Sequence, residues 1–150
     1  MRVVAALAML VLGGCDIDVD TGKGVEYLAA PDAASQNLPF SEAVRVDDTL
    51  YLSGELGRLP GTLELVEGGI GPQTRQTMDN IAATLARHGG TMNDVVKCTI
   101  FMADMSQWAA MNEVYRTYFA ADALPARSAL GASALAVGAS VEIECIAVVD

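Results

Sequence analysis

An arginine and a glutamate in the C-terminal part of this chain are the residue types best suited to chemistry. Arg127 stands in the run Pro125-Ala126-Arg127-Ser128, between a helix-like and a strand-like stretch, and Glu142 lies in an apolar, strand-like run further on. A guanidinium can bind a carboxylate through two parallel hydrogen bonds, and a partly buried glutamate can hold or transfer a proton. The pair therefore indicates a site for a small carboxylic acid. A structural ion pair between the same two residues is the plainer alternative.

The composition is that of an acidic chain with enough apolar residues to form a core. The chain has 150 residues, of which 52% are hydrophobic, and its formal net charge is -10. The length predicts one domain, and the negative charge disfavours contact with phosphate backbones, so we expect no nucleic-acid partner. His88 is the single histidine, and Cys15, Cys98 and Cys145 lack the spacing of metal ligands. We therefore expect no metal site.

The N-terminal residues form a short basic and apolar leader. Arg2 precedes an apolar run over residues 3–12, which has the length of a signal-peptide core and is too short to span a bilayer. The run ends in Leu12-Gly13-Gly14-Cys15, which resembles the bacterial lipobox, where cleavage precedes a lipid-modified cysteine. An ordinary signal peptide or a buried N-terminal strand is the alternative interpretation.

This resemblance predicts how the chain is divided and where it is located. We predict a lipoprotein signal peptide over residues 1–15, a tether over residues 16–24 and a domain over residues 25–150. Lipidation of Cys15 would anchor the protein to a membrane of the bacterial cell envelope. Asp16 resembles a retention signal, which favours the periplasmic face of the inner membrane.

Hydrophobic periodicity predicts an α+β domain. Alternating and β-branched runs predict strands, and apolar residues at helical spacing predict two helices. In chain order, the predicted elements are a strand at Val25–Leu28, a hairpin over residues 40–46 and 49–54, a helix from Pro72 to His88, a strand at Val95–Met102, a helix with a stripe of Trp108, Met111, Val114, Tyr115 and Tyr118, a strand over residues 129–134 and a strand at Val141–Val148.

The predicted strand at Val141–Val148 has two different faces. Val141, Ile143 and Cys145 share one face, whereas Glu142 and Glu144 lie on the other face beside further apolar residues. Two helices on one face of the sheet would leave the other face bare, which predicts an oligomer.

The two cysteines of the predicted domain raise a separate question. Cys98 and Cys145 each lie in an apolar strand pattern, so we expect them to be reduced core residues. A disulfide remains open, because the periplasm is oxidising.

Six motifs occur in a fixed order along the chain. They are Phe40-Ser41-Glu42-Ala43-Val44, Leu52-Ser53-Gly54, residues 73–81, Met111-Asn112-Glu113-Val114-Tyr115, Pro125-Ala126-Arg127-Ser128 and Val141–Val148. Together they resemble the Rid (YjgF-type) family of enamine and imine deaminases. The resemblance covers the chain from about Val25 to Val149.

The resemblance implies a fold, an activity and a set of site residues. The fold is chorismate-mutase-like, a homotrimer with its sheets inside and its helices outside, and the sites lie in clefts between subunits. The implied reaction hydrolyses 2-enamino or 2-imino acids to 2-oxo acids and ammonia without a cofactor. Arg127 would hold the substrate carboxylate and Glu142 would position or activate water. The implied substrate-binding residues are Gly54, Phe40, Ser53, Asn112 and Ser128.

Two positions depart from the pattern of many deaminases of this kind. Phe40 replaces a tyrosine and so lacks a hydroxyl, and Ala129 replaces a cysteine and so lacks a thiol. These departures, together with the predicted export, keep a second function open. In that alternative, the protein is a non-catalytic trimeric module that binds small carboxylates or metabolites in the cell envelope.

Overall fold

The computed structural model describes residues 24–31 and 38–149. The predicted signal peptide, the predicted lipidation site at Cys15 and the predicted tether up to residue 23 lie outside the described residues. In the described ranges, no helix combines the length and the apolar character needed to cross a membrane.

A single mixed sheet and the helices that cover it make up the described domain. The strands are β1 (Val25–Leu28), β2 (Ala43–Val46), β3 (Thr49–Leu52), β4 (Glu55–Leu56), β5 (Val95–Met102), β6 (Ala126–Gly131) and β7 (Val141–Val148), and the α-helices are α1 (Ile70–Arg87) and α2 (Trp108–Tyr115).

The order of strands places β7 at the centre of the sheet. The strands run β1-β2-β3-β7-β5-β6, and the short β4 also pairs with β7. Most neighbours are antiparallel, whereas β5 and β6 are parallel and are joined through α2. The β2–β3 hairpin turns at Asp47, whose φ of 52° is unusual for a residue with a side chain. Because β7 contacts β3, β4 and β5, it connects both halves of the chain.

Both helices cover the same face of the sheet. On α1, the stripe of Met78, Ile81 and Leu85 is fully buried, as the helical spacing predicted. The helix ends at Arg87, where His88 forms the cap and Gly89 takes a φ of 83°. On the sheet, Val141 and Ile143 of β7 are fully buried within the same core. The layered α+β prediction is therefore confirmed.

The order and type of the predicted elements agree with the structure, but several bounds differ. The hairpin strands predicted over residues 40–46 and 49–54 are shorter, at Ala43–Val46 and Thr49–Leu52, and α2 ends at Tyr115, before Tyr118. Two further differences concern the site. The strand predicted over residues 129–134 begins earlier, at Ala126, and ends at Gly131, so Arg127 lies within β6 and not before it. The two-residue strand β4, which follows Gly54, was not predicted from the sequence.

The prediction that Cys98 and Cys145 are reduced is wrong. The two residues form a disulfide, with their Cα atoms 4.1 Å apart. The reason is their register, because β5 and β7 are antiparallel neighbours and Cys98 faces Cys145 directly. Both side chains point into the core, where their exposed fractions are 0% and 2%. The apolar pattern correctly indicated burial, but it carried no information about which strands pair.

We predict that the disulfide contributes strongly to stability. It links residues 47 positions apart, so the double variant Cys98→Ala/Cys145→Ala should lower the free energy of unfolding by roughly 2–4 kcal/mol. Denaturant titration at one fixed protein concentration measures the difference. Reductant should destabilise the wild type and leave the double variant unchanged. Equal unfolding midpoints for the two proteins would contradict the prediction.

Candidate active site

Arg127 is held in a cage formed by α2. Its guanidinium carbon lies 4.9 Å from the centre of the Trp108 ring and 5.0 Å from the centre of the Tyr115 ring. Its Nη1 atom donates a hydrogen bond to Oδ1 of Asn112. The aromatic faces attract the cation, and the amide fixes one edge of its planar fork. The remaining edge of the guanidinium is therefore oriented for a planar anion such as a carboxylate.

The spacing on α2 explains why these three partners meet at one point. Trp108, Asn112 and Tyr115 are four and three positions apart, so they lie on one face of the helix. Burial raises the pKa of Tyr115 to about 12, so the phenol stays neutral and leaves the Arg127 charge available. Arg127, Asn112 and Tyr115 line an open cleft of 590 Å³ with Phe119, Leu124 and Pro125. The sequence predicted that Trp108 and Tyr115 belong to an apolar stripe in the core. The position of Asn112 on the same helical face was the one sequence feature that could have indicated the cage.

Glu142 belongs to a second cluster, on the other side of the sheet. Its carboxyl group packs against Gly54, where a Cβ atom would collide with Oε1 and lie 3.0 Å from the carboxyl carbon. Glycine is therefore required at position 54 for the carboxylate to lie against the backbone. Pairing of Leu56 with Glu142 between β4 and β7 holds the two segments together.

The surroundings of Glu142 favour its protonated form. Burial raises the pKa of its carboxyl group, and the nearby negative charge of Glu144 raises it further. A carboxyl group whose pKa is shifted towards neutrality is better suited to exchanging protons with a bound water than an ordinary surface glutamate.

Arg127 and Glu142 do not meet within one chain. Arg127 is in register with Cys98, whose partner across the sheet is Cys145, so Arg127 points to the helix-covered face. Glu142 lies between the buried Val141 and Ile143 and points to the opposite face. From strand spacing and rise, the two Cα atoms are roughly 14 Å apart. The alternative of a structural Arg127–Glu142 ion pair within a chain is therefore wrong.

The other predicted site residues lie either beside Arg127, or near Gly54 in the Glu142 cluster, or outside both groups. Asn112 lies with Arg127, whereas Phe40, Ser53 and Gly54 lie together at one pocket. The Ser53 hydroxyl donates to the Ser41 carbonyl oxygen at 2.7 Å, so it supports the local backbone. Ser128, next to Arg127 on β6, is exposed on the face that Glu142 shares.

The sequence did not predict a polar network around the buried carboxylate of Glu42, which also lines this pocket. Oε1 of Glu42 lies 2.8 Å from Nη2 of Arg87 and 3.1 Å from Nε2 of His88. This network fixes the start of the β2–β3 hairpin to the end of α1, and it supports the interpretation of His88 as a structural cap. In residues 24–31 and 38–149, no cluster of three or more histidine, cysteine, aspartate or glutamate side chains could hold a metal ion.

Comparison with known proteins gives the class of the chain. The family described as endoribonuclease L-PSP matches residues 29–149. The chain is 44% identical over 110 residues to the 2-iminobutanoate/2-iminopropanoate deaminase of Mus musculus, covering 73% of this chain and 81% of that protein. It is also 44% identical to protein DfrA of Myxococcus xanthus over 128 residues, covering 84% and 95%.

Solved structures agree with this assignment. YyfA of Yersinia pestis, described as a member of the conserved Rid protein family, superposes with a TM-score of 0.77 at 40% identity, covering 84% of this chain and 100% of that one. RidA from a Psychrobacter species superposes with a TM-score of 0.71 at 39% identity, covering 82% and 94%. The domain therefore has the fold of this class. The chain belongs to the endoribonuclease L-PSP family, which is the Rid (YjgF-type) family that its motifs resemble.

We predict that the pKa of Glu142 depends measurably on Glu144. Replacing Glu144 by Gln removes a like charge, so the pKa of Glu142 should fall while burial keeps it above the ordinary glutamate value. Carboxyl-selective NMR titration of wild type and Glu144→Gln measures this shift directly. Glu26→Gln, an exposed change on β1, is the matched control and should leave the titration of Glu142 unaltered. An identical titration curve in Glu144→Gln would contradict the prediction.

Proposed function

We propose that the protein hydrolyses reactive 2-imino acids, and their 2-enamino tautomers, to 2-oxo acids and ammonia. Water adds to C2 of the iminium group, and the resulting carbinolamine loses ammonia to leave a 2-oxo acid. The observation that carries the proposal is the caged Arg127, which presents a fixed fork for a carboxylate. Relatives named 2-iminobutanoate/2-iminopropanoate deaminase, at 44% identity over most of the domain, support the same reaction.

In this proposal, Arg127 binds the substrate carboxylate and fixes the orientation of C2. Trp108 and Tyr115 stack against the guanidinium, and Asn112 accepts one of its hydrogen bonds, so the fork is ordered before the substrate arrives. Such preorganisation lowers the entropic cost of aligning the reacting groups. An iminium carbon is already electrophilic, so orientation of one water supplies a large part of the catalytic effect.

Glu142 accepts a proton from the attacking water and returns it to the leaving nitrogen. Its contact with Gly54 places the carboxylate against open backbone, where a small substrate can approach. Because Arg127 and Glu142 occupy opposite faces of one sheet, the proposed site combines Arg127 of one chain with Glu142 of a neighbour. A homotrimer, which the family resemblance implies, supplies that neighbour if the bare sheet face of one chain meets the β6 edge of the next.

Two other functions fit the observations less well. RNA cleavage, which the family description suggests, requires contact with phosphates, and a net charge of -10 disfavours such contact. Binding of 2-oxo acids without catalysis would require Arg127 but would give Glu142 no role. The shifted pKa of Glu142 beside Gly54 favours the hydrolytic function.

We also propose that the mature protein is tethered to a membrane through a lipid on Cys15. The support is the lipobox-like sequence Leu12-Gly13-Gly14-Cys15 after an apolar run. Growth with a labelled fatty acid should label the wild type and not Cys15→Ser. Equal labelling of both would remove this proposal and leave the deaminase proposal unaffected.

We predict separable kinetic effects for the two halves of the site. Arg127→Lys replaces the fork by a point charge, so kcat/KM for 2-iminobutanoate should fall by roughly 30- to 1000-fold, equivalent to about 2–4 kcal/mol. Glu142→Gln keeps the shape and removes the base, so kcat should fall with KM nearly unchanged. Release of ammonia and 2-oxobutanoate from enzymatically generated imine measures both effects.

Folding and oligomeric state of each variant are the controls for this experiment. Arg75→Lys, an exposed change on α1 outside this cleft, is the matched control and should keep kcat/KM close to the wild-type value. If Arg127→Ala retained most of the activity, the proposed site would be wrong. If wild type bound 2-oxo acids through Arg127 without hydrolysing imines, the protein would be a binding module.

A further inference from the structure

We propose that a pocket beside Gly54 binds the side chain of the substrate and selects 2-imino acids whose apolar side chain is larger than ethyl. We call it the side-chain pocket. It has a volume of 170 Å³, and its apolar wall consists of Leu38, Phe40, Leu56, Leu63 and Val137. This inference rests on the proposed function, because it assigns the side-chain specificity of the same site.

The position of the pocket follows from Gly54, which belongs to both the pocket and the catalytic cluster. One side of Gly54 is covered by the Glu142 carboxyl group, and the residue also lines the side-chain pocket. A substrate whose C2 lies near Glu142 therefore has this pocket within reach of its C3 substituent. The carboxylate of the substrate points away, towards Arg127 of the neighbouring chain.

The pocket is also lined by the polar side chains of Ser53, Glu42, Glu55 and Arg58. The Ser53 hydroxyl donates to the Ser41 carbonyl oxygen, and Glu42 is paired with Arg87. Oε2 of Glu55 lies 3.6 Å from Nη2 of Arg58, an ion-pair distance, although this buried oxygen accepts no hydrogen bond. Burial is the largest influence on Glu55 and raises the pKa of its carboxyl group. A polar or charged substrate side chain would find mostly apolar carbon in this space, and it would lose its hydration without full compensation. The pocket therefore favours hydrocarbon or thioether side chains.

The wall of the pocket is held in place by hydrogen bonds. Nδ2 of Asn80 donates to the carbonyl oxygens of Leu56 and Arg58, at 3.0 Å each. The loop that carries Leu63 is closed by the Leu59 amide, which donates to the Glu64 carbonyl at 2.8 Å. These hydrogen bonds hold the loop in place before a substrate binds. The pocket therefore stays open when it is empty.

Two wall residues explain why the pocket is apolar and open. Phe40 contributes an apolar ring to the lining of the pocket and is 54% exposed. Val137 has a φ of 50°, which is costly for a β-branched residue, and it also lines the pocket. Exposed apolar side chains around a preformed pocket are expected where an apolar group binds.

The size of the pocket predicts an order of substrates. Each additional methylene buried in such a pocket increases kcat/KM by roughly fourfold. The imine of leucine has three more side-chain carbons than 2-iminopropanoate, so its kcat/KM should be roughly fiftyfold higher. The imine of glutamate should gain no such advantage, because its carboxylate would be desolvated.

The test compares substrate preference in wild type, Leu63→Trp and Val25→Trp. Leu63 and Val25 are equally exposed, at 51% each, so both changes should fold, but only Leu63 lines the pocket. We expect Leu63→Trp to lower the ratio of kcat/KM for the leucine imine over 2-iminopropanoate at least tenfold. We expect Val25→Trp to keep the ratio of the wild type. A wild-type ratio near one, or an unchanged ratio in Leu63→Trp, would overturn the proposal.

A binding measurement separates this proposal from the proposed function. Calorimetry with 4-methyl-2-oxopentanoate and 2-oxopropanoate reports side-chain preference without requiring hydrolysis. If wild type hydrolyses no imine but binds the larger 2-oxo acid more tightly, and Leu63→Trp removes that preference, the proposed function fails and the side-chain pocket stands. If the two 2-oxo acids bind equally in wild type, the side-chain pocket is wrong whatever the activity.

Discussion

The alternation of side chains along the sheet is the constraint on which the proposed site depends. Arg127 lies on β6 and Glu142 on β7, the two strands that flank β5. The pairing register places the Arg127 side chain on the helix-covered face and the Glu142 side chain on the bare face. No rotamer change brings them to one small ligand within a chain. The two faces can cooperate only if the bare face of one chain meets the edge of another.

The core and the two half-sites are stabilised by the same elements. Cys98 is in register with both Cys145 and Arg127, so the disulfide fixes β5 and β7 next to the strand that carries the guanidinium. On the other side, Asn80 of α1 holds the backbone around Leu56, which pairs with Glu142. Positions far from the substrate therefore control the geometry of groups that would contact it.

Sequence reasoning recovered the order of elements, because their periodicities are local properties. It also placed Glu142 and Ile143 on opposite faces of β7, since alternation within a strand needs no partner. It missed the Cys98–Cys145 disulfide and the Glu42–Arg87 ion pair, because both join segments far apart in the chain. The cage around Arg127 was partly accessible in the helical spacing of α2, but the packing of α2 on β6 was not.

Mixing two inactive variants tests most directly whether each site is shared between chains. Arg127→Ala and Glu142→Gln, each nearly inactive alone, should be coexpressed and shown by sedimentation to form mixed trimers. Random assembly gives about a quarter of the sites an intact Arg127 and an intact Glu142 from different chains, so about a quarter of the wild-type activity should return. Mixed trimers with no more activity than the separate variants would contradict a site shared between chains.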